Sequence, residues 1–242
     1  MRIFKLLLVF MLALILVTGC DEDDKNPVGT DFPTNLNNLE TVMIITPWQD
    51  LAREASILIW TTTEPTSSSL EINGTIFDLD WEYFGTDWET WLYYDGTGGF
   101  GDTFNYELVI NNNTITGSVE APFLPDITWP DFNFNQNYAF DWELPTSPDL
   151  QFIEFYLETM DNEYFEEWEI AGSERSYEIN KSYYQDYSNT YTYMDIGIMP
   201  VNFNLHNSGN DLVFANTYEG MYLETRTIDD FKRIATKIMQ NR

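Results

Sequence analysis

Few residues in this chain are suited to catalysis. His206 is the only histidine and Cys20 is the only cysteine. Nucleophilic catalysis needs a nucleophile within reach of a base, and a zinc site needs several histidines or cysteines. Paired carboxylates could hydrolyse glycosides, but with 40 Asp and Glu residues some pair meets that spacing by chance. The sequence therefore predicts a binding protein and no enzyme.

Two acidic segments could hold a hard cation such as calcium, which prefers carboxylate and carbonyl oxygens. Asp95 and Asp102 enclose a glycine-rich loop that lacks the acid spacing of an EF-hand. Asp78, Asp80 and Glu82 alternate as they would on one face of a strand. Solvation of these acids is the alternative. Calcium therefore stays a possible ligand, and no other cofactor is predicted.

Aromatic side chains are dense between residues 81 and 94. Strand side chains alternate between two faces, so a sheet cannot bury all of them. Exposed rings stack on the C–H faces of sugars and also suit protein interfaces, whereas shared core and cross-strand packing is the alternative. The candidate ligand-binding residues are Trp81, Trp88, Trp91, Tyr93 and Tyr94.

These candidates belong to a chain of short, alternating apolar segments. Such segments, separated by Gly, Asn and Pro, are typical of antiparallel strands in β-sandwiches. Asn73-Gly74 lies between alternating apolar residues and predicts a tight hairpin, because both residues tolerate positive φ. The predicted fold class is therefore mostly β.

A proline-rich stretch divides the strand signals into two sets. Pro122, Pro125 and Pro130 lie within nine residues and mark a boundary. We predict one antiparallel β-sandwich domain over residues 39–121 and a second over residues 122–226. Whether these are two domains or a single larger one stays open.

The segment 227–242 has a helical period. Thr227 can cap a helix, and acids near its start and bases further along suit the helix dipole. We predict one C-terminal amphipathic helix that packs on the second sandwich. Its apolar stripe consists of Ile228, Phe231, Ile234, Ala235, Ile238 and Met239.

Residues 130–226 resemble an immunoglobulin-like or fibronectin type III domain in pattern. Phe140-Asp141-Trp142 is similar to an early strand with a buried Trp, and 149–157 is similar to the next strand after a Pro-bearing turn. The first strand set resembles the same superfamily less closely. The resemblance implies tandem sandwiches, which in lipid-anchored proteins often serve adhesion or glycan binding.

The N-terminus resembles that of bacterial lipoprotein precursors. Arg2 and Lys5 precede an apolar run over 6–17, shorter than the roughly 20 residues of a membrane span. Val17-Thr18-Gly19-Cys20 resembles a lipobox. The resemblance implies a signal peptide over residues 1–19 and acyl chains, such as palmitate, on Cys20. An incidental cysteine and an uncleaved membrane anchor are the alternatives.

Residues 20–38 predict a lipidated N-terminus followed by a disordered acidic tether. The acids at 21–24 resemble surface-export signals in some Gram-negative groups and inner-membrane retention signals in others. We expect a lipid-anchored protein of the cell envelope, in the outer membrane and exposed at the surface, with the leaflet left open.

The charge of the chain restricts its partners. The formal net charge is −29, and the stretch 54–174 holds 25 acids with no Lys or Arg. Such a field repels nucleic acid. Divalent cations, a basic partner or solvation could offset it.

We expect the anchor to contact the membrane and the folded part to bind glycan, with a structural or protein-interaction role in an envelope assembly as the alternative.

Overall fold

A computed structural model of the chain describes residues 39–47, 54–96, 98–221 and 228–240. The predicted signal peptide, Cys20 and the tether lie outside these residues. Within the described ranges the chain forms one α-helix, α1 (Ile228–Gln240), three short 3-10 helices (Lys181–Tyr183, Gln185–Tyr187 and Asn207–Gly209) and sixteen strands. In chain order the strands are β1 (Thr41–Pro47), β2 (Glu54–Thr61), β3 (Ser68–Ile72), β4 (Thr75–Phe77), β5 (Glu82–Tyr83), β6 (Trp88–Asp95), β7 (Thr103–Ile110), β8 (Asn113–Glu120), β9 (Asp126–Ile127), β10 (Tyr138–Glu143), β11 (Leu150–Thr159), β12 (Glu163–Ala171), β13 (Ser176–Ile179), β14 (Tyr191–His206), β15 (Asp211–Asn216) and β16 (Glu219–Gly220).

The strands form three sheets. The large sheet has the order β12-β11-β14-β15-β1-β2-β6-β5, with β16 pairing on β14. A four-stranded sheet has the order β4-β3-β7-β8, and a three-stranded sheet has the order β13-β10-β9. β1 runs parallel to β15, whereas the other ladders of the described chain are antiparallel. The prediction of a mostly β fold with sandwich-like sheets is confirmed.

The large sheet is the central layer because its strands bury both faces. In β1, Met43 and Ile45 point into a core shared with the four-stranded sheet. Val42 and Ile44 alternate with them and pack under α1. The cross-strand register places Ile153 of β11 on the same face as Met43, where the three-stranded sheet covers it. Both small sheets therefore lie on one face and α1 on the other.

The predicted C-terminal helix is confirmed over residues 228–240. Its buried apolar residues pack on the large sheet, against strands from both halves of the chain, and each large side chain contributes about 1.5–3 kcal/mol of burial. Cations flank this stripe. Lys232 pairs with Asp87 and Glu89, and Lys237 pairs with Glu167. The buried residues of the stripe are Phe231, Ile234, Ala235 and Ile238.

The large sheet joins the two predicted halves of the chain. It takes β1, β2 and β6 from the region before residue 121 and β11, β14 and β15 from the region after it. The described residues between 39 and 239 form one compact unit. The β1–β15 ladder connects the two predicted sandwiches, 39–121 and 122–226, within one sheet. Their division into separate domains stays a prediction.

The Asn73-Gly74 hairpin illustrates how the sequence specifies a local turn. Asn73 has a φ of 49° and Gly74 has a φ of 83°, as a type I′ turn requires. The turn joins β3 to β4 in register, with Ile72 opposite Thr75. The hairpin prediction is confirmed.

Candidate functional site

Strand β6 distributes the predicted aromatic residues over both faces of the large sheet. Tyr94 lies opposite Ala55, and both point towards the four-stranded sheet. Trp91 lies opposite Leu58, which points towards α1. Because side chains alternate along a strand, Trp88 shares the face of Tyr94, whereas Tyr93 shares the face of Trp91. The five predicted residues therefore do not form one surface.

Two of the five residues build the core. Tyr94 is 2% exposed and packs edge-on against Phe104, with ring centroids 5.9 Å apart. Trp81 is half-buried against the same core, and its Nε1 donates to Oγ of Ser68 at 2.8 Å. Both rings stabilise the contact between the large and four-stranded sheets, so neither is available to stack on a ligand.

Trp91 and Tyr93 form an exposed pair, which we call the Trp91 platform. Trp91 is 49% exposed and Tyr93 is 76% exposed. Residues two apart on a strand are about 6.6 Å apart, so the rings project side by side. The platform lies at a sheet edge, because within the described chain β6 pairs beyond Glu89 with β2 alone.

Polar groups adjoin the Trp91 platform on the same face. Glu89 is 5% exposed, and its Oε1 accepts a hydrogen bond from Nζ of Lys232 at 2.9 Å. Asp87 accepts from the same amine at 2.9 Å. Burial acts to lower the pKa of Lys232, but the two carboxylates outweigh it and raise that pKa. Glu89, two residues before Trp91 on the same face, thus connects the strand of the exposed pair to the ion pairs of Lys232.

Trp88 belongs to a separate aromatic group at the β5–β6 turn. Its half-buried ring tilts against Tyr83, with centroids 5.1 Å apart. The hydroxyl of Tyr83 donates to the carbonyl of Gly85 at 2.6 Å. Tyr83 and Phe84 are each 57% exposed. Tyr83 and Phe84 are exposed because they lie at the β5–β6 turn. The sequence predicted that some rings of this segment are exposed, but not which ones.

The acidic segments do not converge on a cation site. Asp78 and Asp80 lie in the connection between β4 and β5, so the prediction of one strand through Asp78, Asp80 and Glu82 is wrong. A carboxylate oxygen of Asp102 accepts from the backbone nitrogen of Gly99 at 2.8 Å and closes the glycine-rich loop. Asp95 is exposed at the end of β6. No three acidic, His or Cys side chains among the described residues are grouped to hold a metal ion.

His206 belongs to a polar cluster at the β14–β15 turn. Its Nε2 lies 2.8 Å from the hydroxyl of Tyr106, and Asp211 is its cross-strand neighbour. Burial lowers the pKa of His206, and the charge of Asp211 opposes this. Burial raises the pKa of Tyr106 to about 12, which is the opposite of what an activated nucleophile needs. Structural linkage between two sheets accounts for the cluster.

A second aromatic surface lies at the opposite edge of the large sheet. Trp168 of β12 contacts Tyr177 and Tyr183, with centroids 5.6 Å and 5.2 Å away. Tyr164 of the same strand stacks on Tyr187 at 4.4 Å. The tyrosine-rich turn after β13 thus supports the rings of β12, a long-range relation that no local pattern indicated.

Comparison with protein-family models yields no match for this chain, and comparison with curated proteins yields none. In the part of the chain that the structure describes, no helix has the length and apolar character needed to span a membrane. Function is therefore proposed from the geometry of these surfaces.

Proposed function

We propose that this chain is a lipid-anchored surface lipoprotein whose folded part binds extracellular glycan at the Trp91 platform. The observation that carries the binding role is the exposure of Trp91 and Tyr93, side by side on one face of an edge strand. Ring faces bury the C–H face of a sugar and contribute by apolar contact.

The polar groups beside the platform suit sugar hydroxyls. Lys232 can donate hydrogen bonds and Asp87 can accept them, while the buried Glu89 holds the Lys232 amine in place. A neutral glycan fits this mixture of donors and acceptors better than a strongly anionic one, because the chain carries a net charge of −29. The ligand class is therefore a neutral extracellular polysaccharide.

The lipid anchor is supported by Val17-Thr18-Gly19-Cys20 after a short apolar run. Acyl chains on Cys20 would hold the protein stably, since each buried CH₂ contributes about 0.8 kcal/mol. The tether over 21–38 would separate the folded part from the lipid surface. The acids at 21–24, which resemble surface-export signals, favour an outer-membrane, surface-exposed position. The immunoglobulin-like resemblance of residues 130–226 adds support by analogy alone.

A protein-interaction role in an envelope assembly is the second candidate. The observation that favours it is the outer edge of β6, where backbone groups of 90–95 have no strand partner within the described residues. Open edges accept strands of other proteins. A photo-cross-linker at Tyr93 would then capture a protein on intact cells, whereas one at Phe84 would not.

The glycan proposal is tested with the full chain in neutral detergent, titrated against a panel of neutral and acidic polysaccharides. Trp91→Ala and Tyr93→Ala should each weaken binding about tenfold, as loss of a stacking ring does. Phe84→Ala removes an equally exposed ring outside the platform and should leave the affinity unchanged. Binding that survives both platform substitutions, or no binding by folded protein, would reject the proposal.

A further inference from the structure

Strand β12 has one edge without a strand partner among the described residues. β12 spans nine residues and pairs within the described chain with β11 alone. Its other edge presents backbone N–H and C=O groups that an extended segment of another protein can pair with, and among them the carbonyl of Glu167 also accepts from Nζ of Lys237 at 3.1 Å. This edge lies at the opposite end of the large sheet from β6, so it is independent of the Trp91 platform.

One face of this edge places a carboxylate between two supported aromatic groups. Tyr164, Glu166 and Trp168 lie opposite Leu157, Phe155 and Ile153, so all three are on the face of the three-stranded sheet. Each is about 6.6 Å from the next along the strand. The ring of Tyr164 is backed by Tyr187, and the ring of Trp168 by Tyr177 and Tyr183. These rings are held in fixed positions on either side of Glu166.

The other face of β12 is already used by the helix. Arg233 lies over the ring of Phe165 at 4.0 Å, and its Nε contacts Glu167 at 3.0 Å. Lys237 contacts the same carboxylate at 2.6 Å. On this face, basic residues of α1 therefore bind a ring and a carboxylate of β12.

The exposed acids of the edge have no such partner in the described chain. Glu163 and Glu166 are exposed, and no ion pair involves either of them there. The stretch 54–174 contains no basic residue that could supply one. Acids on an edge also deter pairing with a second, equally acidic copy. The complementary partner is therefore a basic segment.

We propose that β12 pairs with an extended, lysine- or arginine-bearing segment of another protein. Its backbone extends the large sheet, and its alternate cations lie over Tyr164 and Trp168 and pair with Glu166. Cations over aromatic faces contribute about 0.5–1 kcal/mol each at exposed sites, and the ion pair adds a similar amount. Because side chains of a strand alternate between its two faces, the partner segment should alternate basic and polar residues.

The test uses the full chain in neutral detergent and a labelled nonapeptide of alternating Arg and Thr, measured by fluorescence anisotropy. Glu166→Gln combined with Glu163→Gln, which also removes the exposed acid on the other face of the strand, should weaken binding about threefold, the loss expected from one exposed ion pair. Trp168→Ala should weaken it further, and salt should weaken it as well. The control is Glu71→Gln with Glu107→Gln, two exposed acids paired across β3 and β7, which should change the affinity less than twofold.

Strand pairing is distinguished from general charge attraction by two further measurements. A peptide of equal charge with Pro at two central Thr positions should bind at least about fivefold more weakly, because Pro cannot complete the ladder. Amide hydrogen exchange over residues 163–171 should slow when the Arg-Thr peptide binds. Equal binding of the Pro peptide, equal losses in both double variants, or unchanged exchange would overturn the proposal.

Discussion

Nε1 of Trp142 donates a hydrogen bond to Oε1 of Gln151, 2.9 Å away, and both side chains are buried. The amide nitrogen of Gln151 in turn donates to the backbone carbonyls of Ala171, Gly172 and Glu174, at 3.0–3.2 Å. One glutamine therefore joins β10 to β11 and to the turn after β12. All of its side-chain polar atoms have partners, so the buried polar group does not destabilise the core.

Replacing Gln151 with Leu should lower the free energy of unfolding by about 1–3 kcal/mol. The substitution leaves the Trp142 indole N–H buried without a partner, which carries that cost for one unsatisfied group, whereas the three carbonyls still accept from Arg175 and from the backbone nitrogen of Glu174. Urea denaturation of the full chain in detergent measures the change. Gln185→Leu, in an exposed turn, is the control and should have little effect. Equal stability of both variants would contradict the role assigned to Gln151.

The sequence predicted the strands of this region better than their arrangement. Alternation in 138–144 predicted β10, and the resemblance implied that Trp142 is buried, as it is. Nothing local indicates that Gln151 is the partner of Trp142, since the turn between β10 and β11 decides this. The parallel pairing of β1 with β15 joins residues 170 positions apart, such as Thr41 and Asp211. Such pairings depend on the whole chain, not on periodicity.

Pro200 lies inside the long strand β14, where a proline is unusual. Proline has no backbone donor and normally ends a strand signal. The carbonyl of Pro200 accepts from Thr217, so the missing N–H points to that same side of β14. There the partner changes from β15 to β16, and no ladder bond is lost. β14 therefore continues through Pro200 over Tyr191–His206.

The sequence predicted that some of the aromatic candidates are exposed, but it did not predict which ones. Alternation required some rings of 88–94 to be exposed, but it did not give the phase of β6. The phase depends on which face meets the four-stranded sheet, and Ala55 opposite Tyr94 decides that. Trp91 and Tyr93 consequently face outward, whereas Tyr94 is buried.

Lys232 should be needed for the stability of the helix on the sheet. Lys232→Met leaves the 5%-exposed Glu89 without its cation, which should lower the free energy of unfolding by about 2 kcal/mol. The double variant with Glu89→Gln should recover part of that loss, because the buried charge is then gone. Lys181→Met, an exposed lysine, serves as the control. Chemical denaturation of the original protein, of the single variants Lys232→Met and Glu89→Gln and of the double variant gives the coupling, and purely additive effects would argue against the ion pair.

The buried tyrosines should make the fold sensitive to alkali. Burial raises the pKa of Tyr106 and of Tyr138 to about 12, from 10.0. Their neutral forms are favoured by folding, so this stabilisation is present below pH 10.0 and is lost as pH rises towards about 12. Tyr106→Phe should show a shallower loss of stability in that range, measured by thermal unfolding. Tyr93→Phe, at an exposed position, should follow the original protein; identical slopes for all three would contradict the expectation.

Cys20 should determine both lipidation and membrane association. Cys20→Ser removes the only thiol, so labelled fatty acid should no longer be incorporated and the chain should leave the membrane fraction. The mass of the original protein should correspond to loss of residues 1–19 and gain of acyl chains. Asn26→Ser, in the predicted tether, is the control. A Cys20→Ser protein that stays in the membrane with its leader uncleaved would instead indicate a membrane anchor.

His206 should make stability fall in mild acid. Burial lowers its pKa below 6.5 in the folded protein, with Asp211 opposing that shift, so the unfolded chain binds the proton more readily. The neutral imidazole, hydrogen-bonded to Tyr106, therefore stabilises the fold above pH 6.5, and this contribution is lost as pH falls below 6.5 towards the folded pKa.

His206→Gln keeps a polar partner for Tyr106 but does not titrate. The free energy of unfolding, measured in urea from pH 8 to pH 5, should fall more in the original protein than in His206→Gln, because the carboxylates contribute equally to both. A difference between the two proteins that stays constant over this range would show that the lowered pKa has no effect on folding.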